Sequence, residues 1–278
     1  MSEMMEEILG LDARKLLPGS LILIEDSVAA KGAFLLNYFL KKLLAAPHAS
    51  VDEAGGGTTR VLFLALSEPF SHYNRISRKQ GCNLISYRNS GQLIFLDMVS
   101  DNSPGSIWTK GLKQSALFGL YERVNECVKR RGMQKSGEER TVIIIDDASL
   151  LEVLAGGVQN EVLAFLHYCR ALYSGSHRCG VVALVHADTD SNRSLSLPVD
   201  AGAQSPAAAL VQELEHSADV IVTVDPLSTG LATDVHGQVS VVHWTDALCG
   251  AEFRRAPCTL QFKLLESSVL FSHPGGKF

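Results

Sequence analysis

The chain has 278 residues and a mass of 30.1 kDa, with 46% apolar and 20% charged residues. This composition is that of an ordinary globular protein, and it excludes a wholly disordered chain, a collagen and a coiled coil. The 25 basic and 30 acidic residues give a formal net charge of −5. The chain as a whole therefore does not bind nucleic acid through bulk charge, and such a role would need a local patch or a basic partner.

The cellular compartment follows from three further features. No run of about 18 apolar residues is present, so we expect no membrane-spanning helix and no membrane partner. Glu3, Glu6 and Glu7 stand where a secretory leader would carry Lys or Arg. The six cysteines are scattered without a C-x-x-C pair, which is typical of reduced thiols. We expect a cytoplasmic location, and a nuclear share is left open.

Patterns typical of strands and of helices alternate from Pro18 to about residue 224. The expected strands are residues 21–24, 61–66, 93–96, 142–145, 180–185 and 219–224. The expected helices are residues 31–44, 71–80, 114–130 and 160–173, and one that opens at Ser205 and Pro206. We expect Gly81 to end the second of these helices and Asn160 to cap the fourth. Three more strands, 238–244, 259–265 and 268–272, follow without helices between them.

This order of elements predicts an α/β fold. Strands that alternate with helices form a parallel sheet with helices on both faces, whereas strands joined by short turns pair antiparallel. We expect a mainly parallel twisted sheet with an antiparallel C-terminal extension. We further expect an N-terminal segment, 1–17, and a single domain, 18–278. A separate β domain from about residue 225 is the alternative.

The turn after the first strand lies where an α/β ATPase carries its phosphate-binding loop. That loop has the pattern G-x-x-x-x-G-K-S/T. Aligning Gly32 with the second glycine puts Ser27 on the first, Ala33 on the lysine and Phe34 on the hydroxyl residue. Lys31 lies one position early. Because only one of the four specifying residues matches, we expect a degenerate nucleotide pocket without tight binding of ATP·Mg.

Several carboxylates belong to the same expected pocket. Asp146 and Asp147 end the 142–145 strand like a Walker B strand, in which an Asp holds Mg²⁺. A carboxylate at a strand end can equally cap the next turn. Glu68 follows the second strand, where related ATPases keep a carboxylate that activates water, although an exposed loop residue is the plainer interpretation. Glu25 and Asp26 add negative charge to a loop that would hold phosphates.

Two pairs of possible zinc ligands are His167 with Cys169 and His177 with Cys179. Residues two apart on a helix point to different sides, so the first pair cannot readily share a metal. The motifs G-x-S-x-G and H-E-x-x-H do not occur in the sequence. We therefore expect no metal site, no cofactor and no catalytic residue.

A basic stretch contrasts with the acidic average of the chain. Residues 69–96 contain no Asp or Glu. Their basic residues are Arg75, Arg78, Lys79 and Arg88. On a helix the first three lie at i, i+3 and i+4, so they share a face that His72 can join. Two interpretations stay open: a contact for an RNA backbone or an acidic partner, and a solvated helix face.

Short strings in the sequence resemble a known family. The Pro-Gly turn before the first strand, the strand ending in Asp146-Asp147 and the antiparallel C-terminal end resemble the RecA-type ATPase core. Within that class, the strings PFSHY at 69–73, HYCRA at 167–171 and STGLA at 228–232, with DVHGQ at 234–238, resemble the sixth subunits of the Elongator complex. The resemblance extends from about Pro18 to Phe271.

The resemblance implies a RecA-like fold without a functional P-loop, and a non-catalytic role. Elongator installs 5-carboxymethyl-type groups, including 5-methoxycarbonylmethyl and 5-carbamoylmethyl, on the wobble uridine of certain tRNAs. Its chemistry belongs to another subunit. The implied partners are subunits 4 and 5, which form a hetero-hexameric ring with the sixth, and the remaining Elongator subunits through that ring. The implied ligand is tRNA, bound by the assembled ring.

The polar stretch 188–206 is expected to be a long loop that could line the pore of such a ring. It carries a single basic residue, Arg193, as a candidate RNA contact, together with Asp188, Asp190 and Asp200. We therefore expect tRNA affinity to belong mainly to the ring and not to the isolated chain.

Two alternatives to the scaffold role remain. One is a divergent NTPase that uses Asp146, Asp147 and Glu68 with a cation from Lys31 or a neighbouring subunit. The other is a RecA-like regulator of transcription or recombination, which rests on fold analogy alone.

Overall fold

The computed structural model describes residues 18–45, 59–100, 116–130, 140–174, 177–188, 206–227, 234–243 and 258–276, and the single residues Met4, Met5, Leu9, Gly230 and Ala232. Its strands are β1 (Leu21–Asp26), β2 (Thr59–Ala65), β3 (Leu93–Asp97), β4 (Arg140–Ile145), β5 (Tyr173–Ser174), β6 (His177–Arg178), β7 (Gly180–His186), β8 (Val220–Asp225), β9 (Gly237–His243), β10 (Cys258–Leu264) and β11 (Val269–Ser272). Its helices are α1 (Ala33–Leu44), α2 (Phe70–Lys79), α3 (Leu84–Asn89), α4 (Ala116–Lys129), α5 (Ser149–Leu154), α6 (Gln159–Ala171) and α7 (Pro206–Ser217).

One sheet of nine strands organises the described residues, in the order β11-β10-β9-β8-β1-β7-β4-β2-β3. The strands from β8 to β3 in this order run parallel to their neighbours. The strands β9, β10 and β11 extend the sheet by antiparallel pairing. This order confirms the predicted α/β class, with a mainly parallel sheet and an antiparallel C-terminal extension.

Helices cover both faces of the sheet, because the central strands are apolar on both sides. In β1, Ile22 and Ile24 pack toward α1, α2 and α3, whereas Leu21 and Leu23 pack toward α4, α5, α6 and α7. A parallel strand needs this double cover. Phe39 of α1 is fully buried in the first of these layers. None of the described helices has the length and apolarity that crossing a membrane requires.

Arg170 of α6 fastens the edge of the sheet where the parallel strands begin. Its guanidinium donates to the carbonyl oxygens of Gly19 at 2.6 Å and Ser217 at 2.7 Å, and to the Asp219 carboxylate at 2.8 Å. The same carboxylate accepts the backbone N–H of Leu21 at 2.7 Å. The arginine of the string at 167–171 therefore joins α6, the end of α7 and the start of β1.

The element ends differ from prediction at a few places. Gly81 follows α2 with a φ of 77°, so the predicted glycine stop is confirmed. Asn160 lies inside α6, whose cap is Val158, so the predicted Asn160 cap is wrong. The N-cap Val158 makes no side-chain hydrogen bond, and the acidic Glu161 in the first turn interacts favourably with the helix dipole. The short α3, α5 and the hairpin of β5 and β6 were not predicted.

The division into a segment 1–17 and a domain 18–278 stays a prediction. Met5 and Leu9 are helical in conformation, and both are buried in the same cluster as α1. Met4 packs against the same cluster, and the remaining residues of the segment lie outside the described part of the chain. So does most of the predicted loop 188–206, including Arg193.

Candidate functional site

The predicted nucleotide-pocket residues lie at the edge of the sheet where the parallel strands end. Asp26 ends β1, Glu68 follows β2, and Asp146 and Asp147 follow β4 directly. His186, which sequence reasoning missed, ends β7, the strand between β1 and β4. This edge is where open α/β sheets bind their ligands.

The turn after β1 is closed by its own backbone. Ser27 and Ala30 exchange two N–H···O hydrogen bonds, each 3.2 Å long. Val28 at the tip is 75% exposed, and its backbone N–H donates to the Asp188 carboxylate at 2.7 Å. A P-loop points such N–H groups at phosphate. Here the N–H groups of Val28 and Ala30 bond within the protein.

The residues that follow the turn lead directly into α1. Lys31 and Ala33 are exposed. Phe34, in the position of the P-loop hydroxyl residue, places its ring 4.7 Å from the ring of Phe262 in β10. That side chain therefore joins α1 to the antiparallel strands, and it offers no oxygen to Mg²⁺.

The Asp26 carboxylate lies at the start of α1. Its Oδ2 accepts the backbone N–H of Gly32 at 2.7 Å, and Asp26 is only 3% exposed. A Cβ atom on Gly32 would lie 3.0 Å from the Cβ of Asp26 and 3.3 Å from a methyl of Ile24. The close approach of Asp26 and Ile24 thus favours glycine here. The Asp26 carboxylate therefore accepts a backbone N–H group that, in a P-loop, would donate to a phosphate of the nucleotide.

His186 lies between two of the carboxylates. Its Nδ1 is 2.5 Å from Oδ1 of Asp26, and its Nε2 is 3.3 Å from Oδ2 of Asp147. Hydrogen bonds to Asp147 and Asp26 raise the pKa of His186 to about 10. The imidazole is therefore a cation at neutral pH, with both nitrogens engaged, and it balances buried negative charge.

Asp146 fastens the loop after β2. Its carboxylate accepts backbone N–H groups from Leu66 at 2.6 Å, Ser67 at 3.1 Å and Glu68 at 3.3 Å, and the hydroxyl of Tyr73 at 2.9 Å. Burial raises the pKa of Asp146 to about 6, although these donors lower it in part. Burial and the nearby Asp146 raise the pKa of Tyr73. The Walker B-like carboxylate acts here as a structural acceptor.

Asp147 and Glu68 also have partners within the protein. Asp147 accepts the backbone N–H groups of Ser149 at 2.9 Å and Leu150 at 3.3 Å, so it caps the turn that opens α5. Glu68 is exposed and lies 3.5 Å from the imidazole of His72, one turn later. Neither carboxylate is placed with the other described polar groups around an open site in which a substrate could react.

The basic residues of α2 divide into two groups. Lys79 forms an ion pair with Glu266 at 2.8 Å, and His72 is half-buried beside Glu68. Arg75 and Arg78 are exposed, and neither pairs with an acidic residue in the described part of the chain. The two arginines therefore form a small surface with positive charge available to a ligand.

Arg88 belongs to the neighbouring α3. Its guanidinium lies over the ring of Phe70, 5.2 Å from the centroid, while the residue itself is exposed. A cation held over an aromatic face still donates hydrogen bonds from its edge. Arg88 thus extends the basic surface of α2, whereas Tyr73 points inward to Asp146.

Comparison with known proteins decides the family. A protein-family model described as Elongation complex protein 6 matches residues 3–266. This chain belongs to that family. Human Elongator complex protein 6 is 31% identical over 270 residues, and the match covers 92% of this chain and 91% of the relative. The mouse protein of the same name is 30% identical over 267 residues, covering 92% and 91%. The resemblance inferred from the short strings is confirmed.

Solved structures similar to this member of the Elongator complex protein 6 family establish the fold class. An uncharacterised protein from Pyrococcus horikoshii, solved in complex with an unknown peptide, gives a TM-score of 0.60 at 15% identity, covering 98% of both chains. A KaiC-like protein from the same archaeon gives 0.53 at 13% identity, covering 92% of this chain and 90% of the other. The predicted RecA-like fold is confirmed.

An aromatic surface on α4 and α6 was not predicted for this family member. Phe118 is 46% exposed and Tyr168 is 54% exposed. The rings of Tyr121 and Tyr168 lie 5.7 Å apart, and a cleft of about 370 Å³ opens between the two helices. Phe118 and Tyr168 are the sequence neighbours of Leu117 and Cys169, which are buried. Helical periodicity identifies the buried positions of α4 and α6, but it does not indicate that the exposed positions beside them are aromatic.

The cysteines of the candidate zinc pairs are core side chains. Cys169 and Cys179 are fully buried, and burial raises the pKa of Cys179 to about 12. His167 is exposed on α6. Among the residues that the structure describes, no group of three or more His, Cys, Asp or Glu side chains is placed to hold a metal ion.

Proposed function

We propose that this chain is a non-catalytic structural subunit of the Elongator complex. In this proposal it forms a hetero-hexameric RecA-like ring with subunits 4 and 5. The ring binds tRNA and supports modification of the wobble uridine to 5-carboxymethyl-type groups. Membership of the Elongator complex protein 6 family supports the link to Elongator and to its other subunits as partners.

The observation that carries the proposal is the hydrogen bond between the Asp26 carboxylate and the N–H of Gly32, 2.7 Å long. A helix start attracts an anion through its free N–H groups and its dipole. Asp26 supplies that anion from within the chain, and its charge repels a second one. Together with Ala33 and Phe34 at the lysine and hydroxyl positions, this favours a RecA-like core used as a scaffold.

A ring assembled from different subunits needs two different surfaces on each of them, because head-to-tail contacts are heterologous. Two candidates lie far apart on the sheet. The aromatic surface of α4 and α6 lies over the parallel part of the sheet, because α4 contacts β2 and α6 contacts β7. The antiparallel strands β9, β10 and β11 form the other end.

The tRNA contact is the finer part of the proposal. Arg75 and Arg78 of α2 and Arg88 of α3 present positive charge on the surface. Because the whole chain carries a net charge of −5, a few arginines cannot make the isolated chain a strong RNA binder. The assembled ring repeats the same surface around its axis, which raises the local concentration of contacts.

We also propose that the assembled protein is located in the cytoplasm. Imaging of a tagged chain tests this location and measures the fraction of the protein that is in the nucleus. Cys82, Cys127, Cys169, Cys179 and Cys258 are free in the described structure, as a reducing compartment requires.

Native mass measurement of the chain co-expressed with Elongator subunits 4 and 5 tests the scaffold role. The expected species contains two copies of each subunit and binds tRNA more tightly than the isolated chain does. A chain that stays monomeric in the presence of both subunits contradicts the ring.

Nucleotide titration tests the divergent NTPase as the second candidate. The expected result is an unfolding temperature that ATP with Mg²⁺ leaves unchanged, because Asp26 and Asp146 already have their partners inside the protein. A rise of several degrees that Asp146→Ala abolishes would establish the enzyme in place of the scaffold.

A further inference from the structure

The strand β11 ends the sheet, and no described residue pairs with its outer side. The direction of its backbone groups follows from its neighbour β10. The N–H of Leu264 donates to the ring of His236 at 2.9 Å, and the carbonyl of Phe262 accepts the N–H of His236 at 2.9 Å. Both residues of β10 thus point their backbone groups toward β9.

Backbone direction alternates along a strand, so Lys263 of β10 points toward β11. Lys263 lies opposite Leu270, and these two therefore form a hydrogen-bonded pair. Val269 and Phe271, on either side of Leu270, then point their N–H and C=O groups away from the sheet. The outer edge offers two donors and two acceptors, spaced as in a strand.

A cleft of about 350 Å³ lies beside this edge, between α1 and β11. Its inner side is aromatic, where Phe34 and Tyr38 of α1 line it and Phe34 stacks on Phe262. Lys41, at the end of α1, also lines the cleft, and its Nζ donates to the neutral carbonyl of Gln80 at 2.7 Å. Lys41 is exposed, so its positive charge can still meet an acidic group. Among the described residues that line it, none is acidic.

We propose that β11 accepts an extended segment of a neighbouring protein subunit as a further strand of the sheet. The segment is apolar where its side chains enter the cleft beside Phe34 and Tyr38, and acidic where it reaches Lys41. Strand addition of this kind takes affinity from the backbone ladder and specificity from pockets for alternate side chains. An RNA strand has no repeat of N–H and C=O groups that matches Val269 and Phe271, so a protein segment fits better.

The edge itself favours an occupant. Proteins that keep a sheet edge free usually place charges, prolines or bulges along it. The sequence of β11 is VLFS, without a charged residue or a proline, and Phe271 is buried toward α1. A strand of four residues is short, and shortness alone discourages pairing, but the apolar edge of β11 beside an aromatic and basic cleft is suited to one short partner strand.

Amide hydrogen exchange, measured on the free chain and on its complex with Elongator subunits 4 and 5, tests the proposal. The amides of Val269 and Phe271 should exchange quickly in the free chain and at least about tenfold more slowly in the complex. The amide of Leu270, bonded to β10, is the internal control and should be protected in both. Fast exchange of Val269 and Phe271 in the complex overturns strand addition.

The inference rests on the proposed ring, and the two fail in different ways. If no complex with subunits 4 and 5 forms, the proposed ring is contradicted, and no neighbouring subunit is then present to supply the segment that pairs with β11. A complex of the expected mass with an unprotected β11 leaves the ring standing and overturns only strand addition.

Charge reversal tests the acidic character of the segment. The variant Lys41→Glu should bind subunits 4 and 5 about tenfold more weakly, because like charges then face each other. Lys31→Glu, exposed just before the other end of α1 and outside the cleft, is the control and should assemble normally. Unchanged assembly of Lys41→Glu, with its unfolding temperature preserved, overturns the acidic assignment.

Discussion

The Asp26 carboxylate and the backbone N–H of Gly32 are 2.7 Å apart, at the point where an ATPase of this fold would bind phosphate. The same carboxylate lies against His186, which in turn contacts Asp147. A chain of alternating charges thus joins the ends of β1, β7 and β4. The edge at which open α/β sheets bind their ligands is held together here by contacts within the chain.

Gly32→Ala should destabilise the protein, because the new Cβ would lie 3.0 Å from the Cβ of Asp26 and 3.3 Å from Ile24. Overpacking of a filled site costs about 1–3 kcal/mol of unfolding free energy. Urea denaturation measures the change. Val28→Ala, in the exposed tip of the same turn, is the control and should change stability by less than about 0.5 kcal/mol. Equal effects of the two would show that Gly32 is not closely packed.

His186→Gln should lower stability by an amount that depends on pH. The pKa of His186 is about 10 in the fold and 6.5 in the reference state, so its protonated form is the one that the fold stabilises. That contribution is complete below about pH 6.5 and is lost as the pH rises through 10. The difference between wild type and variant should therefore be about 1 kcal/mol at pH 6, since the side chain is partly exposed, and should approach zero near pH 10.

Urea denaturation of both proteins between pH 6 and pH 10 measures this dependence. His167→Gln, on the exposed face of α6, is the matched control and should give a small difference without this slope. A difference for His186→Gln that is constant with pH would contradict the charged contacts to Asp26 and Asp147.

Tyr73→Phe should destabilise the protein more at pH 8 than at pH 5. Its hydroxyl donates to Asp146 at 2.9 Å, and this hydrogen bond helps to keep the carboxylate ionised. The pKa of Asp146 is about 6, raised from its ordinary value by burial, and loss of the donor raises it further. Above a pH of about 6 the folded protein must keep Asp146 ionised, and without the Tyr73 hydroxyl this costs more free energy. Below that pH the Asp146 carboxyl is neutral in the fold, so loss of the hydroxyl costs less. We expect a loss of about 1–3 kcal/mol at pH 8.

Unfolding curves at the two pH values measure the effect of Tyr73→Phe. Tyr168→Phe, whose ring is 54% exposed on α6, is the control and should be nearly neutral at both. A larger loss at pH 5 than at pH 8 would reverse the sign and contradict the role of the hydroxyl as a donor to the ionised form.

Much of the fold could be predicted because the central strands consist almost entirely of apolar residues, and such strands must be buried on both faces. The run VIII at 142–145 needs cover on both faces, and it lies between β7 and β2 in the sheet. The short helices α3 and α5 are six residues each, too short for a helical repeat of apolar positions to stand out. Their formation depends on the tertiary contacts of Leu84 and Leu151, which are fully buried.

The site was harder to predict, because its contacts join residues far apart in the chain. Asp26 and His186 are separated by 160 positions. The sequence predicted a degenerate loop from Ala33 and Phe34, but it gave no sign that Asp26 would bond to Gly32. One usable signal was missed: His186 follows a buried strand, as Asp146 does, and the ends of parallel strands meet at one edge.

The double variant Arg75→Ala and Arg78→Ala should weaken tRNA binding by the ring assembled with subunits 4 and 5. Both arginines are exposed on α2 and pair with no described acidic residue. If each contacts one phosphate, affinity should fall about tenfold, and the slope of log affinity against log salt should become shallower by about 1.5. Titration of labelled tRNA at several salt concentrations measures both quantities.

Lys129→Ala with Arg130→Ala, a matched pair at the end of α4, is the control and should leave both unchanged. An unchanged affinity and slope in the α2 variant would identify this basic face as a solvated helix surface, and tRNA would then be held elsewhere on the ring.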